Sequence, residues 1–215
     1  MKTIGRLLIV GLVCSSSLLM AGLVNPGFET GDLTGWSSLG SVGVSTGDWT
    51  GPLQGTYFAE LTIADVSCGT MESTLGLNGQ ICALSDTYGG TLLYQSVSMA
   101  ASETITEWAN FKAWEHLPYD DFGFWAFSGP GVVINAGVIA SVATVGNYGT
   151  SGWVPVTFTA PQTGTYTIAL GVMNEGDIWD LSQLGVDDNV PEPATWLAVG
   201  LGMGVLAAVR RRRAR

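Results

Sequence analysis

Two stretches decide the fold: Gly55–Ile63, GTYFAELTI, and Gly164–Val172, GTYTIALGV. In the first, Tyr57, Ala59, Leu61 and Ile63 alternate with Phe58, Glu60 and Thr62; in the second, Tyr166, Ile168, Leu170 and Val172 share one parity. A period of two sends successive side chains to opposite faces of a strand. The β-branched and aromatic content suits a half-buried pleated surface. Working outward, TITEWANFKAW (Thr104–Trp114) and WVPVTFT (Trp153–Thr159) behave in the same way. Turn-forming residues separate these runs, as at Gly89-Gly90, Asn147-Tyr148-Gly149 and Pro161-Gln162-Thr163-Gly164. With many short strands and no helical stretch long enough for a crossover, the prediction is an all-β, antiparallel β-sandwich spanning residues 22–190 as one domain.

The ends of the chain read differently. Lys2 and Arg6, the apolar run Leu7–Val13 and the Leu18–Ala21 site come in the order of a secretory signal peptide, predicted over residues 1–21 with cleavage after Ala21. At the other end, Ala194–Val209 is apolar apart from Thr195 and is followed by Arg210, Arg211, Arg212 and Arg213. As a helix this length nearly crosses a thin bilayer, and the arginines would hold the tail in the cytoplasm and the body outside. Pro191 and Pro193 keep the preceding segment extended. Gly200 and Gly204 read either as a helix-packing pair or as ordinary membrane-helix glycines.

Charge follows the same division. The chain has 8 basic and 18 acidic residues, yet every Asp and Glu lies between Glu29 and Glu192, and Lys112 is the one basic residue in that region. Such a body repels phosphate backbones, which sets nucleic acid aside as a partner, and its carboxylates suit hard cations.

Pro191-Glu192-Pro193, the apolar helix containing Gly-Leu-Gly-Met-Gly and the arginine block together resemble the PEP-CTERM sorting signal of Gram-negative bacteria, here residues 191–215. That resemblance implies recognition of Pro-Glu-Pro by a membrane exosortase, removal of the tail, and delivery of the body to the cell surface or the extracellular polysaccharide matrix. A generic single-pass anchor is the alternative.

The body carries a second resemblance. LVNPGFETGDLTGW (Leu23–Trp36) resembles the opening of jelly-roll carbohydrate-binding modules, and GTYTIALGVMNEGDIWDLSQLGVDDNV (Gly164–Val190) resembles their closing strands. In many such modules a structural calcium joins the first and last strands; the matching residues are Asn25, Glu29, Asp187 and Asp188. Read without the resemblance, Glu29, Asp187 and Asp188 are solvated strand-end acids. The acidic loop with Glu175, Asp177 and Asp180 lacks the ligand spacing of an EF-hand.

Cys14 leaves with the signal peptide, so Cys68 and Cys82 are the remaining pair in a chain bound for an oxidising compartment, and a disulfide follows. Closing this loop contributes about 3 kcal/mol in the chain-entropy model. Catalysis ranks last among the readings. His116 is the only histidine, with Glu115, Asp120 and Asp121 beside it, and the sequence has neither Gly-x-Ser-x-Gly nor His-Glu-x-x-His.

Aromatic side chains are the natural sugar platforms, flat and apolar with a polar edge. Trp49, Tyr119 and Trp179 fall in predicted loops and are the candidates, with packing against the sandwich rim as the competing reading. Trp36, Trp108, Trp114, Trp125 and Trp153 lie in or beside strands and are assigned to the core. The preferred reading is a non-catalytic exported surface or matrix protein associated with exopolysaccharide or biofilm matrix. A specific carbohydrate-binding module is the alternative, and a polysaccharide-active enzyme comes third.

Overall fold

The computed structural model describes residues 22–84, 87–177 and 179–189. The predicted signal peptide, Pro191-Glu192-Pro193, the apolar segment 194–209 and Arg210–Arg213 lie outside the described residues. Among the described residues no helix is long and apolar enough to cross a membrane.

The strands are β1 (Ser37–Leu39), β2 (Ser41–Ser45), β3 (Phe58–Thr62), β4 (Thr87–Met99), β5 (Thr104–Lys112), β6 (Phe122–Ser128), β7 (Ala136–Ser141), β8 (Thr150–Thr159), β9 (Gly164–Glu175) and β10 (Gln183–Asp187). Two short helices, α1 (Cys68–Leu75) and α2 (Val142–Val145), interrupt them. The first sheet has the order β1-β4-β9-β6-β7 and the second β2-β3-β10-β5-β8. Every pairing between these strands is antiparallel. This is the predicted two-sheet sandwich.

The alternation seen in the sequence builds the core between the sheets. Tyr166, Ile168, Leu170 and Val172 of β9 face Ala59 and Leu61 of β3, Ala109 and Phe111 of β5, Val156 and Phe158 of β8, and Leu184 and Val186 of β10 in one buried cluster. A side chain removed from water there stabilises the fold by about 1.5 to 3 kcal/mol.

The outer face of the first sheet is also covered. Leu92, Phe122, Phe124, Ala126, Ala169 and Met173 pack beneath Met71, Leu75 and Ile81 of α1 and the chain that follows it. Ser67 starts α1, its side chain accepting the Thr70 N–H, and Gly76 ends it in the left-handed region at φ 68°. The Glu72 carboxylate then accepts the N–H groups of Gly79, Ile81 and Cys82. The Cys68–Cys82 disulfide closes this layer, as the cysteine count implied.

Candidate functional site

The outer face of the second sheet is where the sandwich offers chemistry. Antiparallel register places Gly43, Glu60, Gly185, Asn110 and Trp153 in one row across all five strands. The next row is Ser41, Thr62, Gln183, Lys112 and Thr150. These residues have the opposite parity to the core set, so they face outward. Gly185 keeps the middle of the face low: a Cβ there would lie 3.1 Å from Trp153 Cη2 and 3.4 Å from Phe58.

Hydrogen bonds tie these side chains into two groups, one around Gln183 and one around Asn110. Gln183 Nε2 donates to Glu60 Oε1 and to Thr62 Oγ1, both at 3.1 Å. Its Oε1 accepts from Trp114 Nε1 at 2.7 Å. Lys112 donates to the Tyr148 carbonyl and its Nζ sits 4.4 Å from the centre of the Trp114 ring. Asn110 accepts from the Thr150 hydroxyl at 2.7 Å and donates to Thr50 at 3.2 Å. Thr50 belongs to the β2–β3 loop, which folds over part of the face: its Gly51 carbonyl accepts from Trp153 Nε1 at 3.3 Å, and Trp153 meets Phe58 edge to face. Burial, reinforced by Asp48, raises the pKa of Glu60, against the opposing effect of the Trp49 and Gln183 donors. Neither Trp49 Nε1 nor Glu60 Oε2 completes a hydrogen bond of good geometry, although both are shielded from solvent.

Trp114 is the exposed aromatic of this face, with 40% of its surface in solvent. This corrects the assignment of Trp114 to the core. Trp108 and Trp153 also lie on the outward parity and are half-buried, whereas Trp36 is buried and Trp125 packs against the core as expected. The parity of β5 held the missing signal. Phe111 faces inward, so Trp108, Asn110 and Lys112 face outward, and Trp114 continues that phase.

The loop candidates separate. Trp49 is half-buried against Glu60. Tyr119 is half-buried, with its ring 5.9 Å from His116 and against Gly176. His116 in turn stacks on Tyr148 at 6.0 Å, so this aromatic group borders Lys112 and Trp114 at the end of the sheet. Trp179 is 71% exposed in the β9–β10 loop, its N–H held by Asp177. The acids beside His116 hold different partners. Nδ1 of His116 lies 2.6 Å from Glu115, while Asp120 accepts the Ala143 N–H and Asp121 accepts those of Glu175 and Ser182. Each aspartate anchors a different strand connection.

The four residues matched to calcium are also divided. Asn25 is occupied locally, accepting from Thr30 N and donating to the Asp32 carbonyl. Glu29 accepts the N–H groups of Thr56 and Tyr57. Asp187 is buried and accepts those of Leu53, Gln54 and Asp188. Asp188 abuts Gly27, where a Cβ would come within 2.7 Å of its Oδ1.

A third buried acid, Glu107, joins this pair. It precedes Trp108, the register partner of Asp187, and its Oε2 is buried with no hydrogen-bond partner. Burial, then Asp188, then Asp187 push Glu107 well above the usual carboxylate range. Burial likewise pushes Asp187 to about 7, although three backbone donors oppose it. Among the described residues no three His, Cys, Asp or Glu side chains stand grouped as a ready metal site. Lys112, the one lysine of the body, is engaged elsewhere, so the donor set at Glu107, Asp187 and Asp188 is all carboxylate oxygen, the kind a hard cation takes.

Comparison with known proteins gives a fold likeness and a motif. TmCBM61, solved in complex with β-1,4-galactotriose, is 17% identical with a TM-score of 0.48, covering 76% of this chain and 92% of that one. A structure described as a promiscuous carbohydrate-binding module of the β-sandwich superfamily is 13% identical with a TM-score of 0.43, covering 75% and 58%. The K3 cleaved adhesin domain of Lys-gingipain from Porphyromonas gingivalis is 12% identical with a TM-score of 0.35, covering 77% and 95%. No curated protein matches the sequence. Residues 189–213 match the PEP-CTERM protein-sorting motif, so the chain carries that sorting signal behind an antiparallel β-sandwich.

Proposed function

We propose that this is an exported, non-catalytic surface protein, processed by an exosortase and associated with extracellular polysaccharide through the outer face of its second sheet. The observation that carries the proposal is Trp114: an exposed indole whose N–H is fixed by Gln183 and which has Lys112 over its ring, in one hydrogen-bonded group with Glu60 and Thr62. A preorganised aromatic surface with polar groups at its margin is what stacking on a sugar ring requires. The TmCBM61 structure, with its bound galactotriose, is in keeping with a sandwich of this kind holding a glycan. The sorting motif supports export, transient anchoring by the C-terminal segment and later release to the surface.

A structural calcium belongs to the same reading. Asp187 and Asp188 would hold it with Glu107, and Glu29 would support the adjoining loop; bound, it would offset the charge these carboxylates concentrate between the last strand and the N-terminal segment. In this reading the face holds glycan without catalysis, and Asp120 and Asp121 serve the fold by accepting backbone N–H groups.

The test is retention of the mature protein on a panel of insoluble bacterial and plant polysaccharides, wild type against Trp114→Ala. Saturable retention of the wild type on one glycan class, lost in the variant, supports the proposal. Equal retention of the two proteins, or none for the wild type on any glycan, refutes it.

A further inference from the structure

Trp114 has aromatic neighbours at its end of the sheet. Lys112, over the Trp114 ring, also donates to the Tyr148 carbonyl, which draws the connection between α2 and β8 to the same corner. Leu117 N–H donates to Asn147 Oδ1 at 3.1 Å and Tyr148 N–H to the Glu115 carbonyl at 2.9 Å, so this connection is fixed against the segment that follows β5. The Tyr148 and His116 rings stack with an interplanar angle of 17°, and Tyr119 meets His116 edge to face.

Tyr148 is the unusual member of this group. Its φ of 56° lies in the left-handed region, which disfavours a bulky side chain. Among the described residues the other non-glycines at positive φ are Asn25, Phe28, Ser102 and Asp180. Asn and Asp tolerate the region through local hydrogen bonding, Ser102 has a small side chain, and the Phe28 ring is wholly buried in the core. Tyr148 has none of these reasons: it is 53% exposed. Glycine would make both of its backbone hydrogen bonds and take this φ without strain. What tyrosine adds is an aromatic ring at the surface, and strain held for an exposed ring is the pattern of a binding position.

His116 and Lys112 complete the surface. Nδ1 of His116 sits 2.6 Å from the buried Glu115 carboxylate, while 44% of the histidine side chain stays in solvent. The Lys112 ammonium has three donors, of which one goes to the Tyr148 carbonyl. It lies between the two aromatic groups, where sugar hydroxyl groups can take the others.

We propose that Tyr148 and His116 form a second stacking subsite, so that the site takes consecutive sugars of one glycan chain, one on Trp114 and a neighbour on Tyr148, with Lys112 donating to hydroxyl groups between them. This rests on the glycan-binding reading of Trp114. Recognition then depends on chain length: a single sugar fills one subsite, whereas a chain segment fills both, and the first contact raises the effective concentration of the second.

The test uses the mature protein and the same polysaccharide panel, comparing wild type with Tyr148→Gly and Tyr148→Phe, and with Trp114→Ala as reference. Fragments made by partial acid hydrolysis of the polysaccharide that retains the wild type, separated by size, serve as competitors. Tyr148→Gly should unfold in urea no earlier than wild type, because glycine relieves the strained φ. Its retention should nevertheless be about tenfold weaker, the effect of one lost stacked ring, and Tyr148→Phe should keep the wild-type retention. Longer fragments should displace the wild type better than the monosaccharide does, by a margin that shrinks in Tyr148→Gly. Should Tyr148→Gly fail to fold, Tyr148→Asn takes its place, since asparagine also tolerates the left-handed region. Retention of Tyr148→Gly equal to that of wild type, or fragments that compete no better than the monosaccharide, overturns the second subsite and leaves the Trp114 reading standing. No retention of the wild type, or retention that survives Trp114→Ala, removes both.

Discussion

Asp121→Asn should reverse its effect on stability between pH 4 and pH 7.5. Asp121 is buried between β6 and the β9–β10 connection, and burial raises its pKa from 3.8 to about 6 even though Glu175 and Ser182 donate to it. At about 1.4 kcal/mol for each factor of ten in proton affinity, that difference corresponds to about 3 kcal/mol. The folded state keeps this proton to a higher pH than the unfolded chain does. Its ionisation therefore removes stability: the loss is absent below about pH 4, develops between about 4 and 6, and is complete above. Asparagine does not titrate, but its amide group cannot accept both N–H groups, which costs about 1 to 2 kcal/mol at every pH. Urea unfolding should find the variant about 1 to 2 kcal/mol less stable than wild type at pH 4 and more stable by a similar amount at pH 7.5. Other carboxylates cancel in the difference between the two proteins. Parallel stability curves across this range would show that Asp121 is solvated and refute the reasoning.

Glu72→Ala should lower stability by about 3 kcal/mol, because three backbone donors at Gly79, Ile81 and Cys82 lose their acceptor, the one at Ile81 in a buried position; a loss below 1 kcal/mol in urea unfolding would contradict the role given to this carboxylate. Calcium should raise the Tm of the wild type at pH 7.5 and have much less effect at pH 5, where Asp187, with its pKa pushed to about 7, holds its proton. Asp188→Asn should abolish the calcium response, and a Tm that calcium and chelator leave unchanged would remove the cation from the account. Replacing Pro191, Glu192 and Pro193 with alanine should leave a full-length membrane-bound form in a host that has the exosortase, and normal maturation would refute the sorting mechanism.

The sandwich was legible because β3 and β9 alternate strictly and because turns fall where the strands end. α1 was not read from the sequence: it is short, and its marks are the Ser67 cap, the Gly76 stop and a glutamate whose partners follow it in the chain. The outer-face network was hidden for a different reason. Glu60, Lys112 and Gln183 look like ordinary solvent-facing residues of separate strands, and only the register of β3, β10 and β5 sets them side by side. Trp114 was misplaced because an aromatic residue just past a strand suits the core by composition, while its parity with Lys112 puts it outside. Glu107 shows the converse, since its inward parity with Ile105, Ala109 and Phe111 was visible and marks it as a buried acid needing a partner.

The most direct measurement is a hydrogen-exchange footprint of the mature protein with a retained polysaccharide. The account predicts slowed exchange in β10, at the β5 end from Asn110 through His116 and in the β2–β3 loop, with β4 and α1 unchanged. Protection confined to β4 and α1, or no change at saturation, would contradict a glycan-binding role for the outer face of the second sheet.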